Sequence, residues 1–298
     1  MGVDGRGGVD GRDAGNGFVR CSYGHLHWGR YGAAGLLLID PERGVLLQRR
    51  AWWVHHGSTW ALPGGALEAG ETPREAATRE AHEEAAISPH VVRPTAASVV
   101  DHVNWRYTTV LATARHPVNE RVANSESAEL RWVPPGDVEE LKLHRDFALA
   151  WPALRAQLDH ELVLVVDAAN VVGSKPDGWW RDRQGAAERL RDKLAVLAET
   201  GVRGEDLGVP GPWSWWPRIV LVVEGQARGV TPVEDVEVVQ AETDGDSAIV
   251  QAVSDARSDR PADRVVVVTA DRELRSRVET LGASTLGPRS LLTLLDAA

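Results

Sequence analysis

The segment from Gly65 to Ile87 restricts the fold of this chain most, because it places Glu80, Glu83 and Glu84 at helical spacing. Positions i, i+3 and i+4 are neighbours on a helix surface, so these carboxylates should converge on one face. Converging like charges repel unless a cation binds, and a hard divalent ion such as Mg²⁺ or Mn²⁺ accepts carboxylate oxygens. The spacing therefore predicts a helix with a metal-binding face.

The residues around this acidic face predict how the helix begins and packs. Thr72 is placed to cap the helix, and Pro73 to occupy its first position. Small residues at four-residue spacing should let the opposite face lie close to a sheet, leaving the acidic face toward solvent or a cleft. They are Ala77, Ala81 and Ala85. Upstream, Leu62–Gly65 predicts a turn whose two glycines let the backbone approach a phosphate or expose a carbonyl, such as that of Gly64, to the metal.

The whole segment resembles the Nudix box, a glycine followed at fixed spacing by Glu, Arg-Glu, Glu-Glu, a glycine and an apolar residue. The matching positions are Gly65, Glu71, Arg79, Glu80, Ala81, Glu83, Glu84, Ala86 and Ile87. Ala81 replaces a larger aliphatic residue. Ala86 replaces the glycine that takes positive φ after the helix, which should cost about 1 kcal/mol or move the helix end. An ordinary Ala/Glu-rich surface helix is the alternative, and the fixed spacing argues against it.

The resemblance implies hydrolysis of a nucleoside diphosphate linked to another group, with Mg²⁺ or Mn²⁺ as cofactor. The implied metal ligands are Glu80, Glu83 and Glu84, with Gly64. Arg79 should pair with a box carboxylate, Glu71 being one option, and orient it rather than touch substrate. One glutamate should also act as general base, and the spacing does not select which one.

The resemblance covers roughly residues 28–157 and implies an α/β/α sandwich with a mixed sheet. Strands are predicted at 32–39, 45–50, 97–103, 107–114 and 129–133, and a closing helix at 143–158. Many relatives carry a further glutamate before the last, Trp-containing strand, as metal ligand or base. Glu126 is the first candidate and Glu129 the second, although both are equally compatible with solvated loop carboxylates.

Aromatic and histidine side chains near the predicted cleft have two interpretations. Trp52, Trp53 and Trp60 are each able to stack on a nucleotide base. Tryptophan that fills core or surface grooves is the more common case for each of them. His55 and His56 share the loop, where histidines are usually solvated.

Cysteine content restricts the metal chemistry. Cys21 is the only cysteine, which excludes an internal disulfide and a cysteine cluster for zinc. His25 and His27 are close to it in sequence, but one thiol and two imidazoles in a predicted loop are more often incidental. We therefore expect no site there.

The second half of the chain predicts a separate three-layer α/β domain. Leu162–Asp167 is a short apolar run that ends in an acid, as a buried parallel strand does. Strands and helices then alternate, which indicates a mainly parallel sheet. The predicted elements are helices at 184–200, 246–258 and from 271, and strands at 219–224, 236–239 and 265–269.

Acids recur at equivalent places in this half, and strand ends of such sheets collect binding sites. They are Asp167, Glu224, Asp246 and Asp271. Single acids at helix starts also act as caps. The pattern resembles the NYN branch of the PIN-like nucleases, a Rossmann-like fold. The resemblance implies RNA cleavage with metal held by Asp167, Asp246 and Asp271, Asn170 as companion and Glu224 as an addition. Ser247 replaces a second aspartate of some relatives, which puts full nuclease activity in question.

Length and composition are typical of a soluble two-domain bacterial protein that acts in the cytoplasm. The chain has 298 residues and a net charge of −10, which disfavours a basic protein that coats nucleic acid. The sequence shows no apolar run that would span a bilayer and no signal peptide. We expect a disordered tail at 1–17, a Nudix domain at 18–158 and a NYN domain at 160–298.

Three functions follow from these patterns. The first is a Mg²⁺-dependent Nudix hydrolase, acting on a nucleotide such as 8-oxo-dGTP, with an accessory second domain. The second is an RNA-processing protein that combines hydrolysis of 5′ ends or nucleotides with NYN endonuclease activity. The third is a nucleotide sensor without turnover, and the complete set Glu80, Glu83 and Glu84 argues against it.

Overall fold

The computed structural model describes residues 13–176 and 178–297. The chain divides into two compact units, with the boundary between Leu158 and Asp159. Among the described residues, no helix combines the length and apolar character needed to cross a membrane.

The predicted disordered tail is wrong for its last part. Residues 1–12 lie outside the described residues, whereas residues 13–17 are held by backbone hydrogen bonds. The carbonyl of Asp13 accepts from Ala69 N–H at 3.0 Å, and that of Gly15 accepts from Arg30 N–H at 2.8 Å. Glycine-rich composition suggested disorder, but Gly15 has a φ of 62° and lies so close to Leu67 that a Cβ would collide with its carbonyl.

The first unit contains a mixed sheet, a separate hairpin and two helices. Its strands are β1 (Phe18–Arg20), β2 (Leu26–Trp28), β3 (Ala33–Asp40), β4 (Gly44–Arg50), β5 (Trp60–Ala61), β6 (Gly64–Ala66), β7 (Val92–Asp101), β8 (Arg106–Ala114) and β9 (Ser127–Val133). Its helices are α1 (Pro73–Ala85) and α2 (Arg145–Gln157). Within this unit the sheet runs in the order β7–β8–β3–β4–β5, with β6 paired to β3 and β9 to β4. Strands β3 and β8 are parallel, and β1 and β2 form an antiparallel hairpin.

Most predicted elements of this unit are confirmed to within two residues at each end. Strand β7 begins five residues earlier than expected, because Pro94 signals a break and the sheet accommodates it with a register shift between Pro94 and Ala96. The turn predicted at Leu62–Gly65 is wrong for its glycines. Gly64 pairs with Gly35 as part of β6, where a Cβ would collide with the backbone of Ala34.

Helix α1 packs on the sheet through alanines. Ala76, Ala77, Ala81 and Ala85 are fully buried, and they contact alternate residues of β3 and β8. Small side chains permit this close approach, so the deviation at Ala81 fits the packing. The close approach of α1 to β3 brings its glutamates next to the backbone of β6.

The second unit is built around a parallel sheet. Its helices are α3 (Ala168–Gly173), α4 (Arg183–Thr200), α5 (Gly245–Asp259), α6 (Arg272–Thr280) and α7 (Pro288–Leu295). Its strands are β10 (Leu162–Asp167), β11 (Val202–Arg203), β12 (Trp213–Trp215), β13 (Arg218–Val223), β14 (Val236–Gln240), β15 (Arg264–Val268) and β16 (Ser284–Leu286). The order β14–β13–β10–β15–β16 is parallel throughout, and β11 and β12 form a small antiparallel hairpin.

The central strand β10 is buried along its whole length. Val163 and Val165 face a cluster that includes Ile249 and Val253 of α5 and Leu274 of α6. Helix α4 contacts β13 and also α3 and α7, which places helices on both faces. The mainly parallel sheet was correctly predicted, while α3, α7, β11, β12 and β16 were not.

Candidate metal-dependent active site

Helix α1 begins and ends with defined caps. Thr72 Oγ1 accepts from Glu75 N–H at 3.3 Å, while Glu75 Oε2 accepts from Thr72 N–H at 2.8 Å. This is the reciprocal capping box, and Pro73 follows it as predicted. Ala86 takes the left-handed conformation, with φ 57° and ψ 26°, and its N–H bonds to His82 O. The helix end stays in place, so the missing glycine is accommodated by strain at Ala86.

Glu84 is the most buried of the acids on α1. Only 3% of its surface is exposed, which corrects the expectation that the whole acidic face meets solvent or a cleft. Its Oε2 accepts from Gly64 N–H at 2.8 Å and from Gln48 Nε2 at 2.9 Å. Burial, followed by the charge of Glu80, raises the pKa of Glu84 to about 8.

Glu80 lies beside the β6 backbone. A Cβ on Gly65 would stand 2.3 Å from Glu80 Oε1, so only glycine permits this approach. Desolvation raises the pKa of Glu80 to about 7, and the charges of Glu83 and Glu126 add to this although Arg79 opposes it. Ionising Glu80 and Glu84 together is therefore unfavourable in the free protein, and a divalent cation reverses that balance.

Arg79 is held by protein acceptors. Its Nε and one terminal nitrogen bind both oxygens of Glu71 at 2.9 and 3.0 Å, and the same terminal nitrogen donates to Ala66 O at 2.9 Å. The other donates to Glu80 Oε1 at 2.9 Å. Desolvation disfavours the charged guanidinium, but the bond to Glu71 and the charge of Glu80 outweigh it and raise the Arg79 pKa. The predicted contact with Glu71 is thus present.

The remaining acids differ in how free they are. The side chain of Glu83 is 47% exposed and lies 3.7 Å from Arg79. Glu126 is exposed, and its charge acts on Glu80. Glu129 is instead paired with Arg49 at 3.3 Å and with Arg131 at 2.5 Å. The structure therefore favours Glu126 over Glu129 as the additional acid near the α1 glutamates.

The residues of α1 fit a hard divalent cation by three observations. The donors are carboxylates, the buried Glu84 and the partly buried Glu80 have raised pKa values, and Gly65 leaves space beside Glu80. The glutamate oxygens are not drawn tightly together, because Arg79 holds Glu80 while Gly64 and Gln48 hold Glu84. Of the proposed ligands, Gly64 is seen to hold Glu84 through its N–H, and its carbonyl role stays a prediction.

Three residues near the glutamates were missed from sequence. Gln48 on β4 is 1% exposed, and its Oε1 accepts from Ser127 Oγ while its Nε2 holds Glu84. Tyr107 on β8 is close enough that burial and the charge of Glu84 raise its pKa. A polar residue inside the apolar run of β4 was the available signal for Gln48.

The tryptophans predicted as base-stacking candidates differ in how much of each side chain is exposed. Trp60 is 6% exposed and lies under Arg131, so it does not reach a ligand. Trp52 and Trp53 are 78% and 58% exposed, with their rings 5.6 Å apart. His56 takes a positive φ of 54° and stacks edge-on with His144, and sequence did not indicate His144.

A second acidic group lies at the carboxyl edge of the parallel sheet in the second unit. Asp167 accepts from Asn170 N–H and from Thr269 Oγ1, both at 3.0 Å, and Asn170 Oδ1 accepts from Ala270 N–H at 3.0 Å. Burial raises the pKa of Asp167, and the charges of Asp246 and Glu224 contribute.

The other acids of this group are engaged at helix starts. Asp271 caps α6, and Glu224 accepts from Gly245 N–H at 2.9 Å. The cap of α5 is Asp244, so the prediction that Asp246 opens this helix is corrected. Asp246 sits in the first turn, where burial and the charge of Asp271 raise its pKa while Arg277 opposes. Because Asp244 Oδ1 accepts the capping hydrogen bond from Ser247 N–H, the side chain of Asp246 does not cap the helix.

Comparisons with known proteins concern the first unit. The NUDIX domain family matches residues 29–156. A Mycobacterium tuberculosis protein provisionally named 8-oxo-dGTP diphosphatase 3 is 48% identical over 154 residues, covering 48% of this chain and 70% of that protein. A Bifidobacterium longum nucleoside triphosphate pyrophosphatase/Nudix hydrolase fusion protein is 42% identical over 153 residues, covering 49% of this chain and 32% of its own length.

A solved structure is also similar in sequence to part of this chain. The crystal structure of a Nudix hydrolase from M. smegmatis, RenU, is 46% identical, covers 47% of this chain and 93% of its own, and superposes with a TM-score of 0.43. The domain match and the relatives named as diphosphatases define a hydrolase that acts on phosphoric anhydrides. The chain belongs to the Nudix family.

Proposed function

We propose that the first unit hydrolyses a nucleoside diphosphate-linked substrate with Mg²⁺ or Mn²⁺, and that an oxidised nucleoside triphosphate such as 8-oxo-dGTP is its substrate class. The observation that carries this proposal is the pair of carboxylates against the β6 backbone, Glu80, which is partly buried, and Glu84, which is buried. Relatives named as 8-oxo-dGTP or nucleoside triphosphate hydrolases support the substrate class. A cytoplasmic location belongs to the same proposal.

In this proposal Glu80, Glu83 and Glu84 hold the metal, with the carbonyl of Gly64 as a further ligand. A bound Mg²⁺ or Mn²⁺ would neutralise charge on the phosphate oxygens and lower the pKa of the attacking water. Water oxygen bonds to phosphorus, the bridging P–O bond breaks, and the leaving phosphate keeps the electron pair. The water proton goes to a carboxylate, for which Glu83, Glu80 and Glu126 are the candidates.

Arg79 acts as a positioning residue in this scheme. Its hydrogen bonds to Glu71, Glu80 and Ala66 O are satisfied within the protein. It therefore fixes Glu80 at a distance from substrate. The exposed Trp52 and Trp53 offer faces on which a base can stack.

The test is a nucleotide panel that includes 8-oxo-dGTP, dGTP and ADP-ribose, with release of phosphate and pyrophosphate measured against Mg²⁺. Glu83→Gln should lower turnover by about 10²- to 10⁴-fold, since it removes a ligand or base. Glu83 is half-exposed, so folding should be preserved. Glu42→Gln, an exposed charge in the β3–β4 turn, is the control and should leave turnover unchanged. Equal rates for wild type and Glu83→Gln would refute the assignment.

A second candidate function concerns the second unit. We infer a NYN/PIN-like domain that cleaves RNA with a metal held by Asp167, Asp246 and Asp271, aided by Asn170 and Glu224. The raised pKa values of Asp167 and Asp246 at one sheet edge support it. Structured and single-stranded RNA should be cut by wild type with Mg²⁺ or Mn²⁺ and not by Asp167→Asn. Identical cleavage by both proteins would refute it.

A further inference from the structure

One thiol and three imidazoles meet beside the mixed sheet, and they differ in chemical type from the carboxylates of α1. They belong to Cys21, His25, His27 and His102, and one ligand atom from each lies within 4.8 Å of the others. Among the residues that the structure describes, no other set of three or more Cys, His, Asp or Glu meets this criterion. The sequence indicated no such group, because His102, which completes it, is distant from Cys21, His25 and His27 in the chain.

The group is assembled from two turns. Cys21 N–H donates to His25 O at 2.8 Å, so the predicted loop is the tight connection of the β1–β2 hairpin. His102 comes from the turn between β7 and β8, 81 positions from Cys21. Asn104 joins the two turns, because its Oδ1 accepts from Ser22 N–H at 2.8 Å and its Nδ2 donates to Arg20 O at 3.2 Å.

The spacing matches tetrahedral zinc. With Zn–S of about 2.3 Å and Zn–N of about 2.05 Å, sulfur and nitrogen lie about 3.6 Å apart and two nitrogens about 3.4 Å apart. Cys21 Sγ and His102 Nδ1 are already 3.7 Å apart. Since no pair exceeds 4.8 Å, none needs to close by more than about 1.4 Å, which side-chain rotation provides.

His27 and its surroundings are unusual for an ordinary core. The ring of Trp105 stacks on that of His27 at 4.0 Å and 11°, and the Trp105 indole is fixed by donating to Gly29 O at 3.0 Å. His27 Nε2 is buried and has no hydrogen-bond partner among the described residues.

The turn that supplies His102 is strained. Val103 takes a φ of 73°, which a β-branched residue rarely adopts, and its N–H donates to Asp101 Oδ1 at 2.6 Å. Strain of this kind persists where surrounding contacts hold it, and it is often found at ligand sites.

We infer that Cys21, His25, His27 and His102 form a zinc site that ties the β1–β2 hairpin to the β7–β8 turn. Four protein ligands fill a tetrahedral zinc ion and leave no position for substrate, so the role is structural. A thiolate with imidazoles selects zinc over Mg²⁺, which prefers oxygen. The exposed His25 provides the route by which the ion enters.

The test uses the full chain freed of metal by a chelator and then titrated with Zn²⁺ or Co²⁺. Because Cys21 is the only cysteine, a thiolate-to-cobalt charge-transfer band in wild type reports on this site alone. We expect one ion per chain with that band, displaced by zinc. Cys21→Ser should abolish the band, and His25→Ala should weaken zinc binding by at least about 100-fold, beyond the loss typical of residues that only support a ligand.

Two control variants test whether zinc binding is specific to these four side chains. His116→Ala changes an exposed histidine outside the group and should bind zinc as wild type does. Glu83→Gln should also keep the zinc site, so failure of the nucleotide proposal and failure of this one are distinguishable. If Cys21→Ser fails to fold, His25→Ala still tests the site, because His25 is exposed and its truncation opens no cavity. Cobalt binding without the thiolate band, or unchanged affinity in His25→Ala, would overturn the inference.

Discussion

The acids of the first unit and those of the second are built in opposite ways. The first unit takes Glu80, Glu83 and Glu84 from one helix. A single arginine of that helix, Arg79, pairs with Glu71, Glu80 and Glu83. The acids of the second unit come from the end of β10 and from segments that follow other strands, and two of them, Glu224 and Asp271, accept backbone N–H groups at helix starts. They are Asp167, Glu224, Asp246 and Asp271. Local spacing along the chain specifies the first group of acids, whereas the order of the strands in the sheet specifies the second. The first group is therefore easier to predict from sequence.

The largest expected difference is in how much stability one arginine contributes to each unit, Arg79 in the first and Arg277 in the second. Arg79→Ala should destabilise the first unit by about 3–5 kcal/mol, because it removes the ion-pair partner of Glu71 and Glu80 and leaves Glu71 with the N–H of Glu68 alone. Arg277→Ala should cost only about 0–1 kcal/mol, since its 3.8 Å contact with Asp246 is solvent-exposed. Hydrogen exchange of α1 and α5 amides measures each effect locally. Equal losses in both helices would remove the distinction.

The next difference is in pH dependence without metal. The folded-state pKa values of Glu80 and Glu84, about 7 and about 8, lie above the ordinary value of 4.5, so the folded state binds more protons. The stability that these two glutamates contribute should be fully present below about pH 4.5. It should fall by a few kcal/mol as the pH rises through about 8. Saturating Mn²⁺ should remove the fall, because it binds the ionised carboxylates.

This slope can be assigned with variants. Melting temperatures at about pH 6 and about pH 8.5, with and without Mn²⁺, should show the metal stabilising more at the higher pH. Glu84→Gln should flatten the metal-free slope, whereas Asp167→Asn should leave most of it. A slope that is the same with and without Mn²⁺ would mean that these glutamates do not hold the ion.

Glu126 and Glu129 offer a matched pair within the first unit. Glu126→Gln should lower turnover by about 10- to 100-fold, as expected for a group that assists the metal ligands. Glu129→Gln should change it less than about twofold, because Arg49 and Arg131 already hold that side chain. Steady-state rates on the best nucleotide decide this, and a larger loss for Glu129→Gln would reverse the order.

The smallest effect concerns the end of α1. Ala86→Gly should raise stability by about 0.5–1 kcal/mol, because glycine relieves the φ of 57° at that position. Ala85→Gly, one residue earlier in regular helix and fully buried, should instead lower stability by about 1 kcal/mol or more. Urea unfolding measures both, and a destabilised Ala86→Gly would show that the cap carries no strain.

Sequence patterns reached the local features of this fold. The spacing from Thr72 to Ala86 predicted the cap and the helix, since both depend on neighbours in the chain. Strand β10 was predicted residue for residue, because burial on both faces requires a continuous apolar run. Gln48 and His102 were missed as site residues because their partners are distant, Glu84 being 36 positions from Gln48. Such contacts depend on sheet order, which spacing does not encode.

We expect the α1 glutamates, and not the acids of the second unit, to support nucleotide hydrolysis. The decisive experiment compares Mg²⁺-dependent hydrolysis of 8-oxo-dGTP by wild type, Glu84→Gln and Asp167→Asn under the same conditions. We predict that Glu84→Gln loses at least about 100-fold in rate while Asp167→Asn stays within about twofold of wild type. Loss of hydrolysis in Asp167→Asn with full activity in Glu84→Gln would contradict this assignment.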